Sequence, residues 1–584
     1  MIKIKTLIAV ASFLVCNQLA AQTIPVNRIY DWKHSGLIEP LPAYTTTLNM
    51  QTAGADTTGV IPSDNIYLSV ISQCTVTNQS YTIFFPTGIY TFTNTINLKD
   101  NVKLEGMGAN THLIFKTAAT CVNLQGTINA TTTYSITQTA NRYDRFLKSS
   151  ANTPSVVINI NDFIAVKQHA ATLVNNDWAY NSVGQFFKIT AVTGDTLKLN
   201  HELRKDYALI DTISIYKVNP IQNAGLKCMH ITRSNSSVDQ IATVQMSYAY
   251  NCFAEGIEVD SCFFSHITLD QSFNCEISGS YFHDAYDYGG GGRGYGINIQ
   301  MGSCDNKIEN NIFDHLRHSV LCQAGVNGNV TDYNYSINAY WTSFPTNAAG
   351  DLVLHGNYVF ANLFEGNICQ QIVVDNSHGI NGPDNNFFRN RAQNYGIYMN
   401  SAQPSNGQVY VGNEITNISI GQYIMAGTGH FEYGNKKQGT ITPAGTTSLT
   451  EVSYCFTTQP GFLAGNNWPV IGIPNTYNTG TIPAEVRNGS GSKLSCNALT
   501  TNVTAYVESN TFQIYPNPGN QLIHIKTAAT NFDGIDVVNL LGELVLHSAA
   551  VETINVSALP NGVYTILIKS EQKLMHTEKV FIVR

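Results

Sequence analysis

The sequence predicts an all-β fold: a right-handed parallel β-helix (solenoid) with a small inserted β domain, followed by a C-terminal β-sandwich. Three observations predict it. Short strand-like blocks ending in a small or polar residue recur as CEISGS, KIENN, VTDYN, LFEGN, FFRNR and VYVGN, which end at Ser280, Asn311, Asn334, Asn367, Arg391 and Asn413. A second series reads GINIQ, SVLCQ, DLVLH, QIVVD and GIYMN, and both return roughly every 20 to 25 residues, with occasional insertions of about ten. Long helical periods are missing, and β-branched and aromatic residues fill the repeats. A single coil of this kind cannot bury its inner face, so stacked coils must pool their apolar residues into one core with right-handed crossovers.

Composition limits the function. The 584 residues are 43% apolar and 12% charged, with 32 Lys+Arg against 40 Asp+Glu, a net charge of −8. That apolar content argues against disorder, and so few basic residues leave no stripe for neutralising phosphates, so no nucleic-acid partner is expected. In chain order, Lys3 and Lys5 precede an apolar run from Leu7 to Cys16 and the small residues Ala20 and Ala21, the layout of a cleaved signal over 1–21. The run is too short to span a bilayer, and no membrane span is expected. Residues 22–140 form the N-terminal initiating module. In 141–219 the blocks VVINI, FIAVKQ, FFKITAV, DTLKLN and ISIYKV break the coil rhythm and predict the inserted antiparallel domain. Its Trp178, Tyr180 and Tyr207 either bind a ligand or pack a small barrel. The main coils occupy 220–434, and the Thr-, Gly-, Asn- and Pro-rich 435–511 reads as terminal coils, cap and linker. The strands of 512–584 complete the chain.

Eleven cysteines remain after Cys16 leaves, with no CxxC pair. Cys262, Cys275, Cys322 and Cys369 sit in apolar strands and read as small buried side chains, with a few disulfides left open.

Two segments carry family resemblances. Thr82 to Phe115, TIFFPTGIYTFTNTINLKDNVKLEGMGANTHLIF, resembles the start of the pectate-lyase superfamily of right-handed β-helices, with a Pro-Thr-Gly turn after a strand and a later Gly-x-Gly turn. The likeness implies fold more than activity. Its usual paired acidic residues are replaced by the separated Asp56 and Asp64. Phe512 to Arg584, with IYPNPGNQLIHI, VVNLLGELV, LPNGVYTILIKS and EKVFIVR, resembles the C-terminal sorting domain of the type IX secretion system of the Bacteroidota. That resemblance implies export across the outer membrane, with the secretion machinery as partner, to a secreted or surface-attached location. An ordinary carbohydrate-binding sandwich is the alternative.

Alternation along a strand assigns the site. In the second series Ile297, Val320, Leu352, Ile372 and Ile397 point inward, as do Ile299, Cys322, Leu354, Val374 and Met399. Gln300, Gln323, His355, Asp375 and Asn400 then form an outward polar row, suited to an extended extracellular polysaccharide. Insertions at Tyr281 to Tyr295 and Tyr335 to Gly350 should cluster beside it, bringing Tyr281, His283, Asp284, Asp287, Arg293, Tyr340 and Trp341 into its walls. Tyr295, Trp341 and Tyr395 offer faces to sugar rings, and Arg293, Arg317 and Arg391 offer planar donors. On a uronate polymer, β-elimination needs a cation for the carboxylate, a base and an acid. Arg317, His318 or His355, and Tyr295 fill these roles, with Asp375 orienting a His or helping to hold a calcium ion. His378 stands second to these.

Hydrolysis is the second reading, through carboxylates such as Asp284, Asp287, Asp314 and Glu365. The signatures of polygalacturonase-like β-helices, Asn-Thr-Asp and Gly-His-Gly, are absent, as is the Arg-x-Pro-x-x-Arg motif of true pectate lyases. A non-catalytic glycan-binding or adhesin solenoid, needing no base, is the third.

Overall fold

From Gly279 onward each repeat contains a turn whose first residue is left-handed and whose second is Ser280 or an Asn. Gly279, Asn310, Tyr333, Gly366, Arg389 and Gly412 all have φ between 51° and 68°. Behind them Ser280, Asn311, Asn334, Asn367, Asn390 and Asn413 stack. In the interior of this ladder each Asn donates its amide to the next Asn and to a backbone carbonyl, as Asn334 does to Asn367 (3.0 Å) and Ile308 O (2.8 Å). In the FFRNR block the ladder residue is therefore Asn390, one position before the expected Arg391. A parallel ladder of Asn306, Asn329, Asn362, Asn385 and Gln408 lines another corner.

The computed structural model describes residues 23–583 apart from 76–78, 151–156, 170–171, 236–238, 401, 497–511 and, in the C-terminal unit, 518, 528–533, 540–543, 550 and 571–572. The expected signal segment lies outside the described residues. The chain divides into two compact units, Met1–Thr501 and Asn502–Arg584.

The first unit is a right-handed parallel β-helix with three strands per typical coil. One coil runs Glu276–Ser278, Tyr281–Ala285 and Tyr295–Gln300, each pairing in parallel with its counterpart in the next coil. We call the sheets containing these strands the second, third and first sheets. The inward assignments hold residue by residue. Ile297, Val320, Leu352, Ile372 and Ile397 are successive partners, as are Ile299, Cys322, Leu354, Val374 and Met399. All join one buried core, where Phe364, Phe387 and Tyr410 stack ring on ring at 5.0 Å. Cys262, Cys275, Cys322 and Cys369 are all buried, the last three in this core, and no disulfide forms among the described cysteines.

Three features were not anticipated. The helix Asp64–Ser72 closes the N-terminal end, burying Tyr67, Val70 and Ile71, and Asp64 accepts the N–H groups of Thr93 and Asn94. The inserted six-stranded antiparallel sheet begins at Thr127, ahead of residue 141, because Thr127–Ser135 pairs with Ile213–Asn219. Finally, residues 449–496 are no terminal coils. They run back along the solenoid as a strap, with Arg389 donating to the carbonyls of Glu451, Ile471 and Ile473 and Ser495 N donating to Gly279 O.

An N-terminal strap runs alongside. Tyr30, Trp32, Ser35 and Gly36 bond in turn to Asp384, Ala361, Gly328 and Asp305.

The second unit has a three-stranded and a four-stranded antiparallel sheet enclosing Ile523, Ile525, Ile535, Val537, Ile566 and Ile568. This is the expected sandwich.

Candidate functional site

The outer edge of the first sheet carries an unbroken polar row. Gln125, Ser247, Asp270 and Gln300 are successive register partners. Gln300 Nε2 donates to Asp270 Oδ2 at 3.1 Å, and Gln323 Nε2 donates to Gln300 Oε1 at 3.1 Å. His355 follows, and its Nδ1 lies 2.7 Å from Asp375 Oδ2. Because Asp375 fixes Nδ1, Nε2 is the ring nitrogen left for a ligand. Burial alone would raise the Asp375 pKa. The hydrogen bond and charge of His355, with the Ser377 N–H at 2.9 Å, instead hold it below the ordinary carboxylate range.

Over the N-terminal part of this row lies a cavity of about 620 Å³, lined in part by Asn97, Asn123, Gln125, Gln245, Asp270 and Gln300. Two structures wall the row. On one edge the loops before the first sheet meet as expected: Arg317 Nη1 donates to Gly289 O, Thr342 N to Tyr288 O, and Tyr395 OH to Asn347 Oδ1. On the other edge stands the inserted domain, whose Phe186 stacks on Phe273 at 5.1 Å. Its Trp178, 45% exposed, stands edge-on to His378 at 5.5 Å, and His378 stands edge-on to His355 at 4.9 Å. Tyr207 is buried in the insertion's own core, so of the two readings of these aromatics, packing applies to Tyr207.

The residues assigned to catalysis come together, but not as equals. Arg317 lies over the Tyr295 ring at 5.7 Å, Tyr295 neighbours His318 at 5.0 Å, and His318 neighbours His355 at 6.1 Å. His318 is buried, bonded through Nδ1 to Gly350 O, and burial, then Arg317 and His355, push its pKa down to about 3. Such an imidazole is a poor base, so its place passes to His355. Tyr295 is also buried, packed with Phe264 and Leu321, and its hydroxyl's pKa is raised by burial. Neither a base role for His318 nor an acid role for Tyr295 fits that burial.

Of the binding residues, Gln300 and Gln323 lie on the row, and Asn400 is exposed at its far end. Arg293 pairs with Asp287 at 2.5 Å, and Trp341 Nε1 donates to Pro345 O within its own loop. Arg391 falls elsewhere. It is on the third sheet, buried beneath the C-terminal strap, bonded to Glu414 and to the carbonyls of Thr479 and Gly480. Arg391 begins a strand paired with Ile368 on the third sheet, which takes it off the row. Glu365 is likewise sealed, accepting from Tyr454 N. Tyr281, His283, Asp284 and Asp314 belong to the third sheet, not to the wall of the row. For calcium, both Asp375 oxygens are engaged, by His355 and Ser377, and no second carboxylate meets it among the described residues.

Sequence reasoning missed Asp270 and Lys167. Burial raises the Asp270 pKa against the opposing Gln300 bond and the Lys167 charge. Lys167, on the insertion, is pushed down to about 8 by burial, with Asp270 opposing. Extending the outward row one coil upstream of Gln300 would have found Asp270. Lys167 carried no signal, because the insertion's docking face is invisible in its own strand pattern.

Residues 513–583 match the family described as secretion system C-terminal sorting domain. The chain is thus a type IX secretion cargo, exported to the cell surface or the medium. A comparison with curated proteins gives no match. Among solved structures, the chain is similar to the Pseudomonas phage phi297 tailspike gp61, with 11% identity and TM-score 0.47 over 68% of this chain and 76% of that one. It is also similar to the Azotobacter vinelandii mannuronan C-5 epimerase AlgE4 A-module, with 12% identity and TM-score 0.36 over 66% and 91%. A third is a Thermotoga maritima exopolygalacturonase, with 10% identity and TM-score 0.35 over 70% and 95%. Similarity at this level carries no inference about activity, and the fold assignment rests on the strand pairing.

Proposed function

We propose that this exported β-helix binds an extracellular uronate-containing polysaccharide along the first sheet and cleaves it by β-elimination, with His355 as the base. The observation that carries the reading is the His355–Asp375 pair, 2.7 Å apart, at the end of the Asp270–Gln300–Gln323 row. A row of planar amides spaced about 4.8 Å apart suits an extended chain of hydroxylated rings. In the reaction His355 Nε2 takes the proton on carbon five, the double bond forms between carbons four and five, and the glycosidic oxygen leaves carbon four and takes its proton from water. Arg317 and Lys167 are the cations near the row that can neutralise the substrate carboxylate, and Trp178 offers a ring face beside His378.

Hydrolysis is less well supported. Asp270 and Asp375 are the row's two carboxylates and stand four coils apart, about 19 Å at ordinary strand spacing, whereas inversion places its pair about 6.5–9.5 Å apart.

The test is incubation of the exported chain with acidic and neutral polysaccharides, following ultraviolet absorbance of an unsaturated product together with reducing ends. Both should rise on a uronate polymer and neither with His355→Ala. Reducing ends alone would replace elimination with hydrolysis. Binding without either signal would make the protein a glycan-binding solenoid.

A further inference from the structure

The third sheet carries an outward row that the proposed reaction does not use. On three successive coils His112 pairs in register with His230, and Thr232 with Asp260. The two imidazoles stack with centroids 4.0 Å apart and planes 2° from parallel. His230 Nε2 lies 2.5 Å from Asp260 Oδ2, Thr232 Oγ1 donates to the same oxygen at 2.7 Å, and His112 Nε2 lies 2.7 Å from that hydroxyl. One ligand atom from each of His112, His230 and Asp260 falls within 4.8 Å of the others, and all three side chains are half-buried. Glu258 Oε1 is 3.9 Å from His230 Nε2.

We propose that His112, His230 and Asp260 form a binding site for one divalent transition ion of the zinc type, with Glu258 in reach as a fourth ligand. Two imidazoles and a carboxylate are a common zinc donor set, with bonds of about 2.0–2.2 Å, and nitrogen donors disfavour calcium and magnesium. The ion would draw the set together and displace the protons that now bridge it through Thr232. The location gives the ion a use. His112 precedes the inserted domain, while His230 and Asp260 follow it, and His112 and Thr232 are 120 residues apart in sequence. An ion here would clamp the coil before the insertion to those after it, closing a long loop.

The experiment strips the full exported chain with a chelator, then titrates it with Zn²⁺ by calorimetry and with Co²⁺ by visible absorption. One ion should bind per chain, Co²⁺ should develop ligand-field bands, and Zn²⁺ should raise Tm. His230→Ala and the milder Asp260→Asn should each weaken binding at least about tenfold and abolish the Tm shift. His355→Ala should bind the ion like the parent, which separates this site from the proposed reaction. No Co²⁺ band and no zinc-dependent Tm shift in the unaltered chain would overturn the proposal. So would binding that Asp260→Asn leaves unchanged.

Discussion

His355 owes its role to two neighbours, and substitutions should separate their contributions. On any polymer the protein cleaves, His355→Ala should lower kcat by about 10²–10⁴-fold, the usual range for a positioned base. Asp375→Asn should lower it less, since the imidazole stays in place but loses the carboxylate that orients it; steady-state kinetics of both variants check this. Beneath the row, Asp351 presents a different test. Its carboxylate accepts the N–H groups of Gln370 and Gln371, yet Oδ1 is buried without a partner, and burial pushes its pKa up to about 6. The folded state therefore holds this proton more tightly than the unfolded chain. The contribution to stability is full below pH of about 4 and is lost as pH rises through about 6. Asp351→Asn should flatten that fall, and Tm measured from pH 4 to 7 should show a smaller slope than in the parent. The residue scale is also where sequence reading failed. His318 and Tyr295 have the right chemistry at the right coil position, but their burial depends on Phe264, Leu321 and the loop at Gly350, none adjacent in sequence.

At the scale of elements, the alternation of inward and outward residues was legible because a parallel coil repeats one register, so a single correct assignment fixes every coil. The Asn turns were legible for the same reason, and their energetic weight can be measured. Through its side chain Asn367 donates to Thr331 O and Asn390 Oδ1 and accepts from the backbone and side-chain amides of Asn334. Asn367→Ala would strand several of these buried partners, and should cost about 2–4 kcal/mol in a denaturant titration. The straps and the docked face of the insertion were not legible. Their own residues carry no repeat that would reveal which coils they grip, so Arg389 reads as one more turn residue although it holds three carbonyls of the strap. The His112 cluster was hidden similarly, its members separated by the inserted domain.

For the whole molecule, the sorting domain and the β-helix are separate units with separate cores. Deleting residues 513–583 should leave the solenoid folded but stop its export, so that cell fractionation finds it retained in the periplasm rather than at the surface or in the medium.

The N-terminal strap has a consequence for how such a protein can change in length. Solenoids gain and lose repeats readily, because each coil needs only its neighbours. Here Gly36, Ser35, Trp32 and Tyr30 each grip one of four consecutive coils, at Asp305, Gly328, Ala361 and Asp384. The strap is thus a ruler with four marks. Duplicating or removing a coil within that span would displace every mark beyond it by about 4.8 Å, whereas a change beyond Asp384 would leave all four aligned. Growth of this solenoid in evolution, or its shortening by design, is confined to the part the ruler does not measure.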